Sequence, residues 1–343
     1  MAHSMLGRNP AEQTSYAQET LVSAYRYMLL ARVLDDKLAS LYRMGKIHGG
    51  VFLGRGQEAL SAAVGVSLTR GDIFAPLIRD AAGRLAFGET LLDSVRTYLG
   101  SRLGPMRGRD GNIHRGRPRE GLLPMISHLG AMISVVNGVL LAHRFKGVRG
   151  QVGAACMGDG GCSTGSFHEA INQAAVEHLP LIMIVANNQY AYSTPNDRQF
   201  ACDSLVEKAP GYGVQGHTVD GTDLAACLEV VGRAVGQARE GGGPQLVVAS
   251  LLRLCGHGEH DDASYVDPSL KASESGRDCL KVAEGQLIKK EIATPAQLDQ
   301  WRVAAIENVE QAVARVQREP APDAGEEDWR ALSTRHLCEG QLP

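Results

Sequence analysis

Three short apolar runs in the middle of the chain constrain its fold more than any other feature. They are QVGAACM at 151–157, PLIMIVA at 180–186 and PQLVVASLLRL at 244–254, and none alternates strictly between apolar and polar residues. Such runs are typical of strands buried on both faces of a sheet. Stretches of helical periodicity at 166–178 and 222–239 lie between them. This alternation predicts an α/β fold, a doubly wound parallel sheet with helices on both faces.

Helical periodicity also flanks this central region. Apolar residues recur at helical spacing from 15 to 41, and the charged tail after about 281 has the same period and carries both tryptophans. The Gly- and Arg-rich stretch 100–121 is predicted to be a long loop in which Arg115, Arg117 and Arg119 are solvated or, alternatively, dock a lipoyl domain or carrier protein. We divide the chain into a disordered or tag-derived terminus at 1–14, an α/β domain at 15–280 and a C-terminal helical extension at 281–343.

Composition excludes several classes of protein. The formal net charge is −3, from 35 basic and 38 acidic residues, which gives no electrostatic signal for nucleic acid or an anionic membrane. The sequence has no apolar run of transmembrane length, and its N-terminus lacks the apolar stretch of a signal peptide. Seven cysteines are scattered without a CxxC pair. We therefore expect a reduced, cytoplasmic protein.

Polar loops follow the first two predicted strands at the point where each strand ends. Asp159 lies in GDGGCSTGSFHEA and Asn188 in NNQYAYSTP. The carboxyl ends of parallel strands lie at one edge of the sheet, where α/β folds bind ligands. A carboxylate and an amide oxygen are hard ligands that suit Mg²⁺. Gly158, Gly160 and Gly161 would let backbone N–H groups approach a phosphate near a helix N-terminus. We therefore predict a magnesium and phosphate site at this edge.

The two loops together resemble a known cofactor motif. GDG followed by NN, each after an apolar strand, looks like the thiamine diphosphate motif. The wording GDGGCSTGSFHEAINQAAVEHLPLIMIVANNQYAYSTP resembles the alpha subunit of the decarboxylating component of 2-oxo acid dehydrogenase complexes, of the pyruvate, branched-chain and acetoin types. The likeness extends over roughly 20–275 and includes GRGQEA, the Arg-Asp of LIRD and LLRLCGHGEHDDASY.

The resemblance implies roles for the matching positions. Mg²⁺ would be bound by the side chains of Asp159 and Asn188 and by the carbonyl of Tyr190. Arg79 and His257 would hold the diphosphate, and the glycines 158, 160 and 161 would lie against it.

A second set of residues would act on the rest of the cofactor and on the substrate. Ser127 and Leu129, in PMISHLGAM, would lie against the aminopyrimidine ring and hold the cofactor in a bent conformation. That bend lets the cofactor assist its own deprotonation, after which its carbanion attacks a carbonyl. His257 and His128 are the candidate catalytic residues.

The resemblance also implies that the chain is half of an active site. In this family the glutamate that protonates the pyrimidine comes from a beta subunit, and the expected assembly is an α2β2 heterotetramer. The acyl unit of a decarboxylated 2-oxo acid would pass to a lipoyl acyltransferase or an acyl carrier protein.

Departures from the family pattern leave the donor open. The usual tyrosine before the diphosphate-binding arginine is Ile78, the usual histidine before GQEA is Phe52, and a frequent glutamine is Met132. Transketolase-like ketol transfer from a ketose, acetoin cleavage and a non-catalytic scaffold are the alternatives. Two other patterns compete weakly: GCSTG fits the GxSxG elbow of hydrolases, and HGEHDD fits a zinc cluster.

Overall fold

A five-stranded parallel sheet forms the centre of the molecule. The structure, a computed structural model, describes residues 10–111, 114–323 and 325–326, with side chains from residue 17 onward. The sheet strands are β1 (Ile73–Ala75), β2 (Gly153–Gly158), β3 (Leu181–Asn187), β6 (Gln215–Asp220) and β7 (Gln245–Ser250). They lie in the order β1-β2-β3-β7-β6. A small antiparallel pair, β4 (Tyr190–Ala191) and β5 (Thr194–Pro195), follows β3.

The strand register brings the carboxyl ends of the strands together. Gly158 pairs with Ala186, and Asn187 pairs with Ser250. The loops that follow β2, β3 and β7 therefore begin side by side at one edge. The three strands predicted from the apolar runs, and their parallel pairing, are confirmed.

Helices cover both faces of this sheet and extend beyond it. The helix predicted over 166–178 runs from Gly165, and the one predicted over 222–239 starts at Leu224. In chain order the helices are α1 (Pro10–Arg43), α2 (Glu58–Ser67), α3 (Ala81–Phe87), α4 (Leu91–Tyr98), α5 (Ala131–Phe145), α6 (Gly165–Val176), α7 (Lys208–Gly211), α8 (Leu224–Arg239), α9 (Pro268–Lys271), α10 (Cys279–Lys289) and α11 (Pro295–Val316).

Alternate residues of β3 belong to two separate cores, one on each side of the sheet. Met183 packs with α5 and α6, whereas Ile182 and Ile184 pack with α2 and α8. Successive side chains of a strand point to opposite faces, so a strand buried on both sides has no polar alternation. The predicted doubly wound α/β fold is confirmed.

The terminal helices pack on each other beside the sheet. Tyr25 of α1 lies 5.9 Å from Trp301 of α11 between ring centroids and donates a hydrogen bond to Glu284 of α10 at 3.0 Å. Within the described residues, the predicted tail of helices is α10 and α11 packed on α1, whereas 327–343, with the second tryptophan, lie outside those residues. The first helix begins at Pro10, inside the segment 1–14 that was expected to be disordered or tag-derived, and residues 1–9 lie outside the described residues. The predicted limits at 15–280 and 281–343 stay predictions.

One arginine of the long loop 100–121 is buried. Arg115 forms two hydrogen bonds of 2.7 Å with Glu89, which also pairs with Arg84 at 2.8 Å. Burial alone would raise the pKa of Glu89, but the two guanidinium groups lower it to about 2. The prediction of a solvated arginine was therefore wrong for Arg115, because its carboxylate partner lies 26 residues away in the sequence.

In the part of the chain that the structure describes, no helix is both long and apolar enough to cross a membrane.

Candidate active site

Three oxygen atoms converge at the carboxyl edge of β2 and β3. Asp159 follows β2 directly and is 1% exposed, and Asn188 follows β3 and is 5% exposed. The end of the Asn188 amide that faces inward lies 3.2 Å from Oδ1 of Asp159 and 3.0 Å from the carbonyl oxygen of Tyr190, and this end is the oxygen in one of the two orientations of the amide. Neighbouring ligands in an octahedral Mg²⁺ shell are about 2.9 Å apart, given bonds of 2.0–2.1 Å. The spacing therefore fits a small divalent cation.

The amide of Asn188 can satisfy this cluster in two ways. In the opposite orientation its nitrogen donates to Asp159 and to the Tyr190 carbonyl, and no cation is required. With a cation among the three groups, the oxygen must face inward, because an amide nitrogen cannot act as a ligand of Mg²⁺. The direction of this single amide therefore distinguishes a closed polar cluster from a metal site.

A glutamine that the sequence analysis missed completes the surroundings of Asp159. Gln199 donates from Nε2 to Oδ2 of Asp159 at 2.7 Å. Burial raises the pKa of Asp159, and the hydrogen bond from Gln199 opposes that rise. Gln199 arrives through β4, β5 and a single turn at Asn196–Arg198, so no periodicity in the sequence points to it.

The glycines of the loop after β2 differ in how much space the structure leaves for a side chain. A Cβ at Gly160 would lie 2.6 Å from the Cβ of Ala191, which is closer than side chains pack. A Cβ at Gly158 or Gly161 would meet its nearest neighbour at 4.0 and 3.4 Å, which are ordinary contacts. Gly160 therefore allows the loop to pack on the β4–β5 pair. The predicted phosphate contacts of all three glycines stay predictions.

Arg79 and His257 lie together beside the edge of the sheet. Arg79 is 4% exposed and donates to the carbonyl oxygens of Leu53 at 2.8 Å and His257 at 2.6 Å. Burial lowers the pKa of Arg79 to about 10, so the group is still charged at neutral pH. Burial, then the charges of Arg79 and Arg253, lower the pKa of His257 to about 4. A charged guanidinium next to a neutral imidazole is suited to a multiply charged anion such as a diphosphate.

Arg253 is a second buried residue that sequence reasoning missed. It lies just beyond β7 and donates to the carbonyl oxygens of Tyr190 at 3.3 Å and Tyr192 at 2.8 Å. These bonds hold the segment that presents the Tyr190 carbonyl to the oxygen cluster. A charged residue inside the apolar run LLRLCG was the available signal.

Gln57 is a third functional candidate, at the start of α2. Its Oε1 accepts a long hydrogen bond of 3.4 Å from Asn188, while its Nε2 is buried without a partner among the described residues. Buried polar groups are normally paired, so this nitrogen is a donor available to a ligand.

The segment that contains Ser127, His128 and Leu129 is exposed at the same edge. Ser127 contacts Nε2 of His114 at 3.1 Å, and the Leu129 carbonyl accepts from Ser166 at 2.8 Å. Leu129 is 48% exposed. The structure brings this segment to the N-terminus of α6, close to the loop of Asp159. It shows no contact between His128 and His257 within the described residues, so the catalytic assignment of His128 stays a prediction.

The competing motifs do not form their sites. Ser163 of GCSTG lies in a short turn between β2 and α6 and donates to the Gln199 carbonyl at 2.7 Å, rather than standing on a strand-to-helix elbow. In HGEHDD, Asp261 accepts from the backbone of His257 at 2.6 Å and from Tyr265 at 2.6 Å. It therefore orders the loop. The described residues contain no group of three metal-binding His, Cys, Asp or Glu side chains.

Comparison with known protein families shows which family this chain belongs to. A family model described as dehydrogenase E1 component matches residues 25–325, a range that contains every site residue named above. The chain belongs to the dehydrogenase E1 component family. The E1 resemblance expected from the GDG and NN loops is thereby confirmed. It identifies a thiamine diphosphate-dependent enzyme component of the 2-oxo acid dehydrogenase type, whose alpha subunits work with a beta subunit.

Curated E1 relatives share most of their length with this chain. It is 35% identical over 314 residues to the alpha subunit of acetoin:2,6-dichlorophenolindophenol oxidoreductase from Cupriavidus necator, covering 91% of this chain and 93% of that one. It is 31% identical to the pyruvate dehydrogenase E1 component subunit alpha of Rhizobium meliloti, covering 91% and 89%. It is 34% identical to the 2-oxoisovalerate dehydrogenase subunit alpha of Bacillus subtilis, covering 76% and 79%.

Proposed function

We propose that this E1 chain holds Mg²⁺ and the diphosphate of thiamine diphosphate at the carboxyl edge of its sheet. With a beta subunit it decarboxylates a 2-oxo acid and passes the acyl unit to a lipoyl or carrier-protein arm. The observation that carries this proposal is the convergence of the Asp159 carboxylate, the Asn188 amide and the Tyr190 carbonyl, which give three oxygen ligands when the amide oxygen faces inward.

The metal would be held by three protein oxygens of two kinds. Asp159 contributes a charged carboxylate, whereas Asn188 and the Tyr190 carbonyl contribute neutral oxygens. Mg²⁺ binds through few protein ligands and completes its octahedron with phosphate oxygens and water. Gln199 and Arg253 would keep Asp159 and Tyr190 in place through the hydrogen bonds described above.

The diphosphate would lie between the metal and Arg79. Arg79 supplies a fixed positive charge, and the ring of His257 remains neutral, so it can donate one hydrogen bond without adding charge. The unpartnered Nε2 of Gln57 supplies a further donor. Arg79, His257 and Gln57 lie on different segments of the chain. Donors spread in this way suit the several oxygens of a diphosphate better than the two oxygens of a carboxylate.

The chain's own residues bind and orient the cofactor, while the reactive group is the cofactor's. When bound, thiamine diphosphate would supply the nucleophilic carbon and the electron sink of the reaction. The exposed segment of Ser127, His128 and Leu129 is the part of this edge available to the pyrimidine ring and to a beta subunit. An α2β2 assembly with the active site between the subunits is part of this proposal, and the exposure of this segment supports it.

Acetoin is a second candidate donor, favoured by two apolar residues next to the residues proposed to hold the diphosphate. The ring of Phe52 contacts the His257 ring at 5.4 Å between centroids, and Ile78 precedes Arg79. Both replace polar side chains that the family usually has, which favours an uncharged donor over a carboxylate. The Cupriavidus necator relative is named for acetoin.

Reconstitution distinguishes these donors. The chain is assembled with its beta subunit, Mg²⁺ and thiamine diphosphate, and reduction of 2,6-dichlorophenolindophenol is measured with pyruvate, 2-oxoisovalerate, acetoin and fructose 6-phosphate. We expect turnover with a 2-oxo acid, or with acetoin if the second candidate is right. Turnover with fructose 6-phosphate alone, or full activity of the chain without a beta subunit, would overturn the proposal.

A further inference from the structure

A second cleft lies at the amino edge of the sheet, opposite the candidate active site. The loop 146–152 joins α5 to β2 and forms one wall through residues 148–151, and the C-terminal end of α8 forms another. The cleft has a volume of about 300 Å³ and adjoins a cavity of about 730 Å³ that shares His143, Val148 and Gln151 with it. Strand β2 separates this edge from Asp159 by roughly 17 Å, given a rise of 3.3 Å per residue.

The walls of this amino-edge cleft are strongly basic. They include the side chains of Arg70, Arg119, Arg144, Arg149 and Arg239. Among the described lining residues Glu120 is the one carboxylate. Positive charges that line a cleft raise the local concentration of anions.

Two of these arginines are neutralised by the protein and three are not. Arg239 pairs with the buried Asp72 at 2.7 Å, and Arg144 pairs with Glu177 at 3.1 Å. In contrast, Arg70, Arg119 and Arg149 have no hydrogen-bond or ion-pair partner within the part of the chain that the structure describes. Their charge is therefore available to a ligand.

Two polar atoms in the shared wall also have no partner among the described residues. They are Nδ1 of His143 and Oε1 of Gln151, and both atoms are buried. Buried polar atoms of native proteins are normally hydrogen-bonded. Both residues line the cleft and the cavity beside it, so each has a hydrogen-bonding group that the protein itself does not satisfy in the wall of the proposed site.

We propose that the amino-edge cleft binds a phosphorylated small molecule that also carries hydroxyl groups. Planar guanidinium groups match phosphate oxygens in geometry and charge. The Gln151 amide and the His143 ring suit the hydroxyl groups of such a ligand, because they can both donate and accept. The combined volume is in the range of small-molecule sites.

Calorimetric titration with ribose 5-phosphate tests this site. The chain is used in its complex with the beta subunit, saturated with Mg²⁺ and thiamine diphosphate, so that phosphate contacts at the carboxyl edge are blocked. We expect one saturable site per chain that does not bind ribose and binds inorganic phosphate more weakly. R149Q and R70Q should each weaken binding of ribose 5-phosphate about tenfold, which corresponds to the loss of a hydrogen bond to a charged group.

R318Q is the matched control, since Arg318 is also exposed and without a partner among the described residues. It should leave the affinity for ribose 5-phosphate unchanged. Unchanged affinity for thiamine diphosphate in all three variants would show that they are folded. The proposal is overturned if no saturable binding is seen at millimolar concentration, if ribose binds equally well, or if R149Q and R70Q bind like the wild type.

Discussion

Gln199 donates a hydrogen bond to Oδ2 of Asp159, while Oδ1 of the same carboxylate faces the side-chain amide of Asn188. The two oxygens of Asp159 are thus used differently. One is fixed by a neutral donor from the β4–β5 region, and the other is left for a cation. This division makes Gln199 a positioning residue for the proposed metal site.

Replacing Gln199 by alanine should weaken Mg²⁺-dependent cofactor binding. Removing the partner that orients a metal ligand typically costs about 10–100-fold in metal affinity, and we expect a loss in this range for Q199A. The measurement is the Mg²⁺ concentration that half-saturates binding of thiamine diphosphate to the assembled enzyme. Gln215, whose amide is exposed on β6, provides the control Q215A. If the two variants need the same Mg²⁺ concentration, the assignment of Gln199 to the metal site is wrong.

Arg79 should contribute mainly to the affinity for the diphosphate. We expect R79Q to weaken thiamine diphosphate binding roughly 10–100-fold, because hydrogen bonds to charged groups contribute about 1.5–3 kcal/mol. R79K keeps the charge but loses the fork geometry, so its affinity should lie between those of R79Q and the wild type. Calorimetry of the assembled enzyme measures all three. An R79Q enzyme with wild-type affinity would show that the arginine serves only its bonds to Leu53 and His257.

His257 should stay neutral over the physiological pH range before the cofactor binds. Its pKa is lowered to about 4, so the neutral ring predominates throughout pH 5.5–8. Diethyl pyrocarbonate attacks neutral imidazole, and mass spectrometry can follow the rate of modification at His257. We expect that rate to be nearly flat with pH. A midpoint near the ordinary histidine value of about 6.5 would contradict the environment described here.

The buried Asp35 should make stability fall as pH rises. Burial raises its pKa to about 7, against the hydrogen bond it accepts from the backbone of Gly54 at 2.7 Å. The folded state therefore keeps a proton that the unfolded chain loses near pH 4. Between roughly pH 4 and 7 the free energy of unfolding should fall by up to about 1.4 kcal/mol per pH unit through this group.

Denaturant unfolding of the D35N variant checks this origin. Asparagine can still accept the hydrogen bond from Gly54 but does not titrate. The free energy of unfolding of D35N minus that of the wild type should therefore rise with pH up to about pH 7. D36N alters the exposed neighbouring carboxylate, which contributes least among the charges that raise the pKa of Asp35, so this variant should keep most of the pH dependence of the wild type. A constant difference between D35N and the wild type would exclude Asp35 as the cause.

Much of the fold could be predicted because strands buried on both faces leave an unmistakable pattern. Ile182 and Met183 face different cores, so the run around them has no polar position to interrupt it. The buried state of Arg115 could not be predicted in the same way. Its partner Glu89 lies on another element, and the sequence does not show that the two approach each other.

The candidate site divides along the same physical line. Asp159 and Asn188 follow strands directly, so strand order alone brings them together. Gln199 and Arg253 reach the site through irregular segments whose path depends on tertiary contacts. The exposure of Leu129 also had no sequence signal, because an apolar residue beside a helix is usually expected to pack.

Binding of thiamine diphosphate to the D159N enzyme, assembled with its beta subunit and titrated with and without Mg²⁺, tests the central claim most directly. The wild type should bind the cofactor tightly only with Mg²⁺. D159N should bind at least about a hundredfold more weakly, since even residues that only orient metal ligands cost up to that much, and Mg²⁺ should no longer help. Wild-type affinity with an intact Mg²⁺ requirement in D159N would contradict the assignment of this site.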